Sequence, residues 1–548
     1  MTIRNTRTGG KILIDQLVAQ GVERVTCVPG ESYLAALDAL HDSPVDVMIC
    51  RAEGGAAMMA EAYGKLTGRP GICFVTRGPG STNASHGVHI AMQDSTPMIL
   101  FVGQVDTGMR EREAFQELDY KAVFGTMAKL VIEIDRPDRI PELVARAFRV
   151  ALQGRPGPVV ISLPENVLVE AAAVADAPRV EPAVTWPAPA DIERLGAMLA
   201  VATAPVAVLG GSGWTAEAAK RIARFAERFD LPVATSFRRA ALFDADHSHY
   251  AGDLGIGPSP GLRARIEEAD VLLLIGGRLS EMPSSSYTLL DVPVPRQKLV
   301  HVHSGAEELG RVYQPALAIQ AAPMAFAAAV DTLKPIAAPT WKGEAGKAHA
   351  DYLAWSETAR ELPGAFQYGE IVIWLRDRLP KDSIVCNGAG NYAGWIHRHH
   401  RFRTFASQLA PTSGSMGYGV PAAVLAKRQY PDRVVVAFAG DGCFLMNGQE
   451  FATAVQYEAA VVVIVIDNAQ YGTIRMHQER EYPGRVVGTQ LKNPDFAMYA
   501  KAFGGHGERV ERTEEFAPAF ERALASGKPS ILHCLIDPRA ISVARDLL

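Results

Sequence analysis

The stretch VVVAFAGDGCFLMNGQE, residues 434–450, contains the pattern from which the fold and the site are predicted. Its opening apolar run is too short for a helix and is typical of a buried strand. The strand ends in Gly440-Asp441-Gly442, where glycine lets the backbone turn sharply and lets a bulky group approach. Because ligands of parallel sheets bind at the carboxyl ends of the strands, Asp441 is predicted to face a ligand.

A second polar residue is predicted at the same edge of the sheet. After a helical pattern over residues 447–459, the apolar run Val461–Ile466 ends in Asp467-Asn468, which puts Asn468 27 positions after Asp441. One carboxylate and one amide oxygen on neighbouring strand ends suit Mg²⁺, which keeps other octahedral positions for phosphate and water. Either residue alone is more typical of a helix cap or a loop, but the matching positions of both favour a metal site.

Short apolar runs alternate with helical patterns along the rest of the chain. This alternation predicts an α/β protein with three doubly wound parallel-sheet domains. Two segments rich in proline, alanine or glycine, residues 170–195 and 333–349, are interpreted as linkers. The expected domains are residues 1–168, 190–335 and 360–548, of which the first and third look like two versions of one architecture.

Composition limits the partners and the compartment. The formal charge of -5 is small for 548 residues and the basic residues are scattered, so no nucleic-acid partner is expected. No apolar run approaches the ~18 residues of a membrane span and no signal-peptide core is visible, so a cytoplasmic protein without a membrane partner is expected. The six cysteines lack metal spacing and are interpreted as reduced core residues. The basic stretch HRHHRFR, residues 397–403, is interpreted as a solvated loop or a subunit contact.

Gly440-Asp441-Gly442 followed by Asn468 resembles the signature of thiamine diphosphate enzymes. The three-domain layout resembles the acetolactate synthase and 2-oxo acid decarboxylase branch over nearly the whole chain. The resemblance implies a pyrimidine-binding, a central and a diphosphate-binding domain. It also implies that Asp441, Asn468 and the backbone carbonyl of Gln470 bind Mg²⁺, which holds the diphosphate of the cofactor. Family members often have Asn-Asn where this chain has Asp467-Asn468, and the liganding second position is kept.

The first domain contains RAEGGAAMMAEAYGKLTGRPG, residues 51–71, which resembles the first-domain motif of the same family. The cofactor is activated when its own amino group removes a proton from the thiazolium ring, assisted by a glutamic acid at the aminopyrimidine. A glutamic acid in an apolar pocket stays protonated near neutral pH, because burial disfavours the charged form. From the residues alone, Glu53 is an ordinary helix-start glutamate. The resemblance implies that it is the activator, and that the turn RGPGSTN, residues 77–83, lines the substrate side.

The resemblance also implies a set of cofactor contacts. Met416 would be the bulky apolar residue that bends the cofactor, although a gap-filling core methionine is the alternative. The loop at residues 388–391 would bind the diphosphate through backbone N–H groups, and it departs from the Gly-Gln-His-Gln of acetolactate synthases. The two halves of each site would come from different subunits, in a homodimer or homotetramer. The implied cofactor-binding residues are Pro29, Glu53, Thr76, Gly80, Asn83, Gly388, Ala389, Gly390, Asn391, Ser413, Gly414, Met416, Gly440, Asp441, Gly442, Cys443, Asn468, Tyr471, Gly472, Thr473 and Ile474.

The segment GQVDTGMREREAFQELDY, residues 103–120, bears on the reaction. Decarboxylases of the family carry an adjacent His-His pair in the first domain, which delivers a proton so that an aldehyde is released. This segment has no histidine, and its GQV and AFQE motifs resemble those of acetolactate synthases. The resemblance therefore implies a carboligase that decarboxylates pyruvate or a similar 2-oxo acid and condenses the product with a second carbonyl compound. Glu53, Gln116 and His477 are the implied catalytic residues.

Departures from the family keep other functions open. His477 replaces the tryptophan that shapes the acceptor pocket, so a decarboxylase or lyase acting on an aromatic or acyl-CoA 2-oxo acid is the alternative. The segments GRLSEMP, residues 277–283, and HVHSGAEE, residues 301–308, differ from those of flavin-binding relatives and weaken the case for FAD. A nicotinamide oxidoreductase is a remote alternative: Gly211, Gly213 and Ala216 fit G-x-G-x-x-A, but the next strand lacks the ribose-binding acid. A non-catalytic binding protein is also remote, because the motif residues named above are all present.

Overall fold

A computed structural model describes residues 6–547. The chain forms two compact units. The first consists of the described part of Met1–Ala183 with Val424–Gln429 and Asn447–Gln456, and the second consists of Val184–Ala423, Tyr430–Met446 and the described part of Tyr457–Leu548. Three six-stranded sheets and one two-stranded sheet lie in these units. All strand pairs within the three large sheets are parallel, which confirms the predicted α/β fold.

The first large sheet has the strand order β3-β2-β4-β5-β7-β6. Its central strands are buried over their whole length, as expected for a parallel sheet covered on both faces. All of its strands were predicted from short apolar runs. The elements up to the first linker are β1 Arg7–Thr8, α1 Gly9–Ala19, β2 Arg24–Cys27, α2 Leu34–His41, β3 Asp46–Ile49, α3 Glu53–Thr67, β4 Gly71–Val75, α4 Gly78–Asp94, β5 Met98–Gln104, α5 Tyr120–Phe124, β6 Leu130–Glu133, α6 Ile140–Leu152, β7 Pro158–Pro164, α7 Glu165–Val169 and β8 Ala171–Ala172.

The central sheet has the order β11-β10-β9-β12-β13-β14, and its two edge strands were not predicted. One of them, YAGDL, contains glycine and aspartate, which are typical of turns. The other, LAIQ, has only two buried residues, so no apolar run marks it. The elements are α8 Pro189–Ala200, β9 Val206–Leu209, α9 Ala216–Phe229, β10 Val233–Ser236, β11 Tyr250–Leu254, α10 Pro260–Glu268, β12 Val271–Ile275, β13 Lys298–His303, β14 Leu317–Gln320, α11 Pro323–Ala329 and α12 Glu344–Ser356.

The third sheet has the order β16-β15-β17-β18-β20-β19. The sequence RTFAS, residues 403–407, predicts a strand of this sheet, but that prediction is wrong, because the chain pairs with β15 only at Gln408–Leu409. The elements are α13 Tyr368–Arg378, β15 Ile384–Asn387, α14 Ala393–His399, β16 Gln408–Leu409, α15 Gly419–Gln429, β17 Val435–Gly440, α16 Asp441–Asn447, α17 Glu450–Gln456, β18 Val462–Asp467, α18 Gly472–Glu481, α19 Phe496–Ala502, β19 His506–Val510, α20 Thr513–Ala525 and β20 Ser530–Leu535.

Two further expectations are corrected in this region. The helix predicted over residues 447–459 is shorter, since α17 spans Glu450–Gln456, and a further helix that was not predicted, α16, begins directly at Asp441. The stretch at residues 397–403 is not a solvated loop, since burial lowers the pKa of His397 to about 3 and of His399 to about 4. His399 Nδ1 donates to the Ser356 carbonyl oxygen at 3.0 Å, and Phe402 is buried.

The cysteines agree with the sequence prediction. All six cysteines are free and buried, as predicted for core thiols. Within residues 6–547, no helix combines the length and the apolar character that crossing a membrane requires.

Candidate active site

The ends of β17 and β18 bring the predicted metal ligands to one edge of the third sheet. Gly440 pairs with Ile466, so Asp441 follows beside Asp467, and Asn468 lies one residue further. A cavity of about 240 Å³ opens at this edge. The predicted residues that line it are Ala389, Gly390, Asn391, Gly414, Met416, Gly440, Asp441, Gly442, Cys443, Asn468, Gln470, Tyr471, Gly472, Thr473 and Ile474.

The remaining lining is mainly apolar. It consists of Tyr392, Trp395, Ile466, Ile536, Ala540 and Ile541, none of which was predicted. These side chains come from α14, from the end of β18 and from the segment after β20. An apolar wall with a few convergent polar groups is typical of a cofactor or substrate pocket.

Three of the site residues predicted in the third domain are not part of this lining. The Gly388 N–H donates to the Tyr392 hydroxyl at 3.0 Å, and the hydroxyls of Ser413 and Ser415 lie 3.1 Å apart. His477 is exposed on α18, where its Nδ1 accepts a hydrogen bond of 3.0 Å from Arg480. The structure therefore gathers most of the implied diphosphate-binding residues, but not His477, around the cavity.

The glycines of the Gly-Asp-Gly motif serve close packing rather than a sharp turn. Neither Gly440 nor Gly442 has a positive φ. A Cβ on Gly442 would lie 2.5 Å from the Tyr471 ring, and a Cβ on Gly440 would lie 3.0 Å from the Tyr392 ring. The two tyrosines thus approach the backbone on either side of Asp441, which any larger residue would prevent.

Asp441 is held by a chain of hydrogen bonds. Asn493 Nδ2 donates to Asp441 Oδ2 at 2.7 Å and to Asp467 Oδ1 at 2.8 Å. His533 Nε2 lies 2.8 Å from Asp467 Oδ2. The side chains of Asn493 and His533 therefore fix the two neighbouring carboxyl groups at the strand ends.

The two carboxyl groups differ electrostatically. Burial raises the pKa of Asp441 to about 6, against hydrogen bonds from Asn493 and from the Gly442 N–H that lower it. Burial also raises the pKa of Asp467, but hydrogen bonds from His533, the Ala469 N–H and Asn493 outweigh it and hold that pKa below its usual value. A cation beside Asp441 would therefore stabilise a carboxylate that burial alone disfavours.

These residues fit a hydrated magnesium ion and a diphosphate. The donor set is one carboxylate, one amide and one backbone carbonyl, which are the oxygen ligands that Mg²⁺ takes. In the part of the chain that the structure describes, the buried Oδ1 of Asn493 has no hydrogen-bond partner, although Nδ2 of the same residue contacts Asp441. A water of the ion's shell would satisfy that oxygen.

The amide of Asn391, which was predicted to bind the diphosphate, has protein partners. Thr473 Oγ1 donates to Asn391 Oδ1 at 3.0 Å, and Asn391 Nδ2 donates to the Ile541 carbonyl oxygen at 2.8 Å. Asn391 thereby joins three segments of the cavity wall: the loop after β15, the start of α18 and the chain beyond β20.

The first-domain residues lie together in the first unit. Asn83 Nδ2 donates to Glu53 Oε2 at 3.0 Å. A Cβ on Gly80 would lie 2.9 Å from Thr76 and 3.4 Å from Glu53 Oε1, so Gly80 leaves room for both side chains. Pro29 follows β2, next to Gly30, which packs against Thr76.

Gln116 lies beside the start of α4. Its carbonyl oxygen accepts a hydrogen bond of 2.9 Å from the Gly78 N–H, and its φ is 64°. The side chain is half-buried. The AFQE segment is therefore hydrogen-bonded to the turn at residues 77–83, which the resemblance implies to line the substrate side.

Three protein-family models match the chain in order along its length. They are the N-terminal TPP binding domain of thiamine pyrophosphate enzymes at residues 7–123, the central domain at 192–330 and the C-terminal TPP binding domain at 388–534. The chain belongs to the thiamine pyrophosphate enzyme family. Each of the three matches overlaps one of the three large sheets.

Curated relatives of similar length agree with this assignment. The large subunit of acetolactate synthase isozyme 2 from Escherichia coli is 30% identical over 96% of this chain and 95% of its own length. The acetolactate synthase large subunit of Corynebacterium glutamicum is 31% identical, over 94% of this chain and 84% of its own length. The acetolactate synthase of Bacillus subtilis is 28% identical over 96% of this chain and 93% of its own length.

The structure adds residues that the sequence patterns did not reveal. Asn493 and His533 contact the carboxyl groups of the site but lie 26 and 66 positions from Asp467. His533 stands inside an apolar strand, and a buried polar residue in such a run is the one signal that marks it. Asn493 lies between elements, where asparagine is common, so no signal marks it.

Proposed function

We propose that the protein is a thiamine diphosphate- and Mg²⁺-dependent carboligase acting on a 2-oxo acid, similar to acetolactate synthase. The observation that carries the proposal is the cavity at the ends of β17 and β18, lined by Asp441, Asn468 and Gln470. We infer that these three residues hold the metal ion and, through it, the diphosphate. Family membership and the named relatives support the choice of cofactor.

When bound, thiamine diphosphate would supply the nucleophilic carbon that decarboxylation of a 2-oxo acid requires. The protein itself would hold the cofactor in a bent conformation in a cavity with a mainly apolar wall. Met416, Trp395 and Ile541 line the cavity and would limit the access of water to the bound cofactor. Glu53, hydrogen-bonded to Asn83, would keep a proton on its carboxyl group for the aminopyrimidine ring.

The choice of carboligation depends on the first domain. Residues 103–120 contain no histidine that would deliver a proton and release an aldehyde. Gln116 is tied by its carbonyl oxygen to Gly78 and would orient the substrate. His477 is proposed as an acceptor-side residue, since it stands where acetolactate synthases have a tryptophan.

The same substitution favours a second candidate. A histidine is smaller than tryptophan, His477 itself lies outside the cavity lining, and the cavity wall of Trp395, Ile474 and Ile536 is apolar. A decarboxylase or lyase acting on an aromatic or acyl-CoA 2-oxo acid would use such a wall.

We do not assign FAD to the central domain, and an absorption spectrum of the purified protein tests that choice.

The decisive experiment follows two products in one assay. The purified protein, with thiamine diphosphate and Mg²⁺, is given pyruvate and a panel of other 2-oxo acids, and both CO₂ and condensation product are measured. Acetolactate formation from pyruvate supports the proposal. CO₂ release with an aldehyde, from an aromatic or acyl-CoA substrate, supports the second candidate, and no CO₂ from any substrate overturns both.

We also propose a homodimer or homotetramer in a reducing, cytoplasmic compartment. The resemblance implies that two subunits complete each site, and the six buried free thiols suit a reducing environment. Light scattering on the eluate of a size-exclusion column measures the assembly, and a monomer that retains full activity would contradict it.

A further inference from the structure

The first turn of α3, which begins at Glu53, is held by a glutamate that lies far along the chain. The residue before the helix, Ala52, makes no side-chain capping hydrogen bond. Ser, Thr, Asn and Asp usually supply such a cap. Here Glu450, the first residue of α17, takes over part of this role.

The contacts of Glu450 are short and buried. Its Oε1 accepts hydrogen bonds from the Arg51 N–H at 3.0 Å and from the Ala52 N–H at 2.9 Å. Its Oε2 accepts from Thr453 Oγ1 at 2.6 Å. The side chain is 0% exposed. The two backbone donors are the residues immediately before Glu53, so this carboxyl group fixes the backbone from which the Glu53 side chain leaves.

The same side chain explains why a glycine stands at position 55, two residues after Glu53. A Cβ on Gly55 would lie 2.5 Å from Glu450 Oε1 and 2.7 Å from its carboxyl carbon. The sequence alone suggests that Gly54 and Gly55 leave room for a neighbouring helix or a flat ring. At Gly55 that room is occupied by the Glu450 side chain.

The segment around Glu450 contacts α3 at two other points. Arg51 Nη2 donates to Gln456 Oε1 at 2.6 Å, and Asn447 Nδ2 lies 3.3 Å from Met58 Sδ. Segment Asn447–Gln456, which contains α17, is part of the first compact unit, whereas the strands of the third sheet are part of the second. These additional contacts with Arg51 and Met58 therefore help to hold Glu450 in place.

We propose that Glu450 is a positioning residue that fixes the first turn of α3 and so the direction of the Glu53 carboxyl group. The proposal rests on the proposed function, because Glu53 has a catalytic task only if the cofactor binds. A buried carboxylate is unfavourable unless its hydrogen bonds are satisfied. At Glu450 both oxygens have partners, and the backbone partners are those that define where Glu53 begins.

The test compares Glu450→Gln with Glu61→Gln. Glu61 lies on the same helix, is also 0% exposed and accepts a hydrogen bond of 2.7 Å from Thr96 Oγ1. Two readouts are used: amide hydrogen exchange of the peptide spanning residues 48–58 in the cofactor-free protein, and exchange of the cofactor's C2 proton for deuterium in the holoenzyme. Neither readout requires turnover of a substrate.

Glu450→Gln is expected to speed amide exchange and to slow C2-proton exchange, each by about tenfold, the size of one lost charged hydrogen bond. Glu61→Gln should leave both rates within twofold even if it lowers the melting temperature. If Glu450→Gln does not fold, Thr453→Val removes the hydroxyl that contacts Glu450 and should move both rates in the same direction by less.

Unchanged amide exchange in a folded Glu450→Gln protein overturns the proposal, as does an equal effect of Glu61→Gln. A failure of the proposed function looks different: wild-type protein and Glu53→Gln would then exchange the C2 proton at the rate of free cofactor. The amide exchange of the cofactor-free proteins would still decide whether Glu450 holds the first turn.

Discussion

In both the third and the central sheets, glycines lie at the end of a buried strand, but different groups pack against these glycines. At the end of β17, Asp441 stands between glycines beside a cavity of about 240 Å³. At the end of β9, a Cβ on Gly211 would lie 1.8 Å from the Gly276 carbonyl oxygen. Trp214 Nε1 then donates to the Gly210 carbonyl oxygen at 2.8 Å and closes the loop on itself.

The difference shows what a glycine pattern can and cannot reveal. In the central domain the small residues allow two backbone segments to touch, so the G-x-G-x-x-A match reflects packing. In the third domain they leave room on either side of one carboxyl group. A polar side chain presented between the glycines, and not the glycines themselves, distinguishes the candidate site.

The strongest test of this contrast is Asp441→Ala, which removes the one carboxylate of the proposed metal site. We expect Mg²⁺-dependent binding of thiamine diphosphate to be lost in a calorimetric titration. The control is Trp214→Phe, which breaks the closing hydrogen bond of the central loop and should lower stability by about 1 kcal/mol without changing cofactor affinity. Equal loss of cofactor affinity in the two variants would contradict the assignment of the cofactor site to the end of β17.

Glu53→Gln tests the first-domain half of the proposed site. The amide cannot supply the carboxylic proton, so exchange of the cofactor's C2 proton should slow by about 10²–10⁴-fold while cofactor affinity stays near that of the wild type. Quenched-flow exchange followed by NMR measures this rate. Wild-type exchange in the variant would refute the activator role.

Asn493→Ala examines the hydrogen-bond chain behind Asp441. Outer partners of metal ligands are worth ~10–100-fold in metal affinity, so a Mg²⁺ titration should show a loss of that size. Gln297→Ala is the matched change in the central domain, since its buried amide donates to the Glu267 carbonyl oxygen at 2.9 Å. That variant should lose stability and keep Mg²⁺ affinity, and the reverse pattern would contradict the assignment.

The smallest expected effect concerns the stability of the central domain at acid pH. His301 Nε2 donates to the Gly277 carbonyl oxygen at 2.9 Å, and burial lowers the pKa of His301 to about 4. Because the unfolded histidine keeps its ordinary pKa of about 6.5, the unfolded state binds the extra proton first, and stability falls as the pH drops from about 6.5 to 4. The glutamine of His301→Gln can donate the hydrogen bond but does not titrate in this range. Its melting temperature should therefore fall by a few degrees less than that of the wild type as the pH drops. Identical pH profiles would refute the buried neutral state.

The sequence predicted correctly those parts of the fold and of the candidate site that depend on short apolar runs and local motifs. Buried parallel strands are continuous apolar runs, so β17 and β18 and the residues at their ends were found directly. The short edge strands β11, β14 and β16 were missed or misplaced, because pairing and not composition defines them. The long-range contacts of Asn493 and Glu450 were missed for a similar reason: they depend on which segments the fold brings together.

Calorimetric titration of the wild-type protein with thiamine diphosphate, with and without Mg²⁺, tests the central claim most directly. The arrangement of Asp441, Asn468 and Gln470 predicts saturable binding of one cofactor per chain that disappears when EDTA removes the metal. Absence of binding in the presence of Mg²⁺, or binding of equal strength without it, would contradict the account.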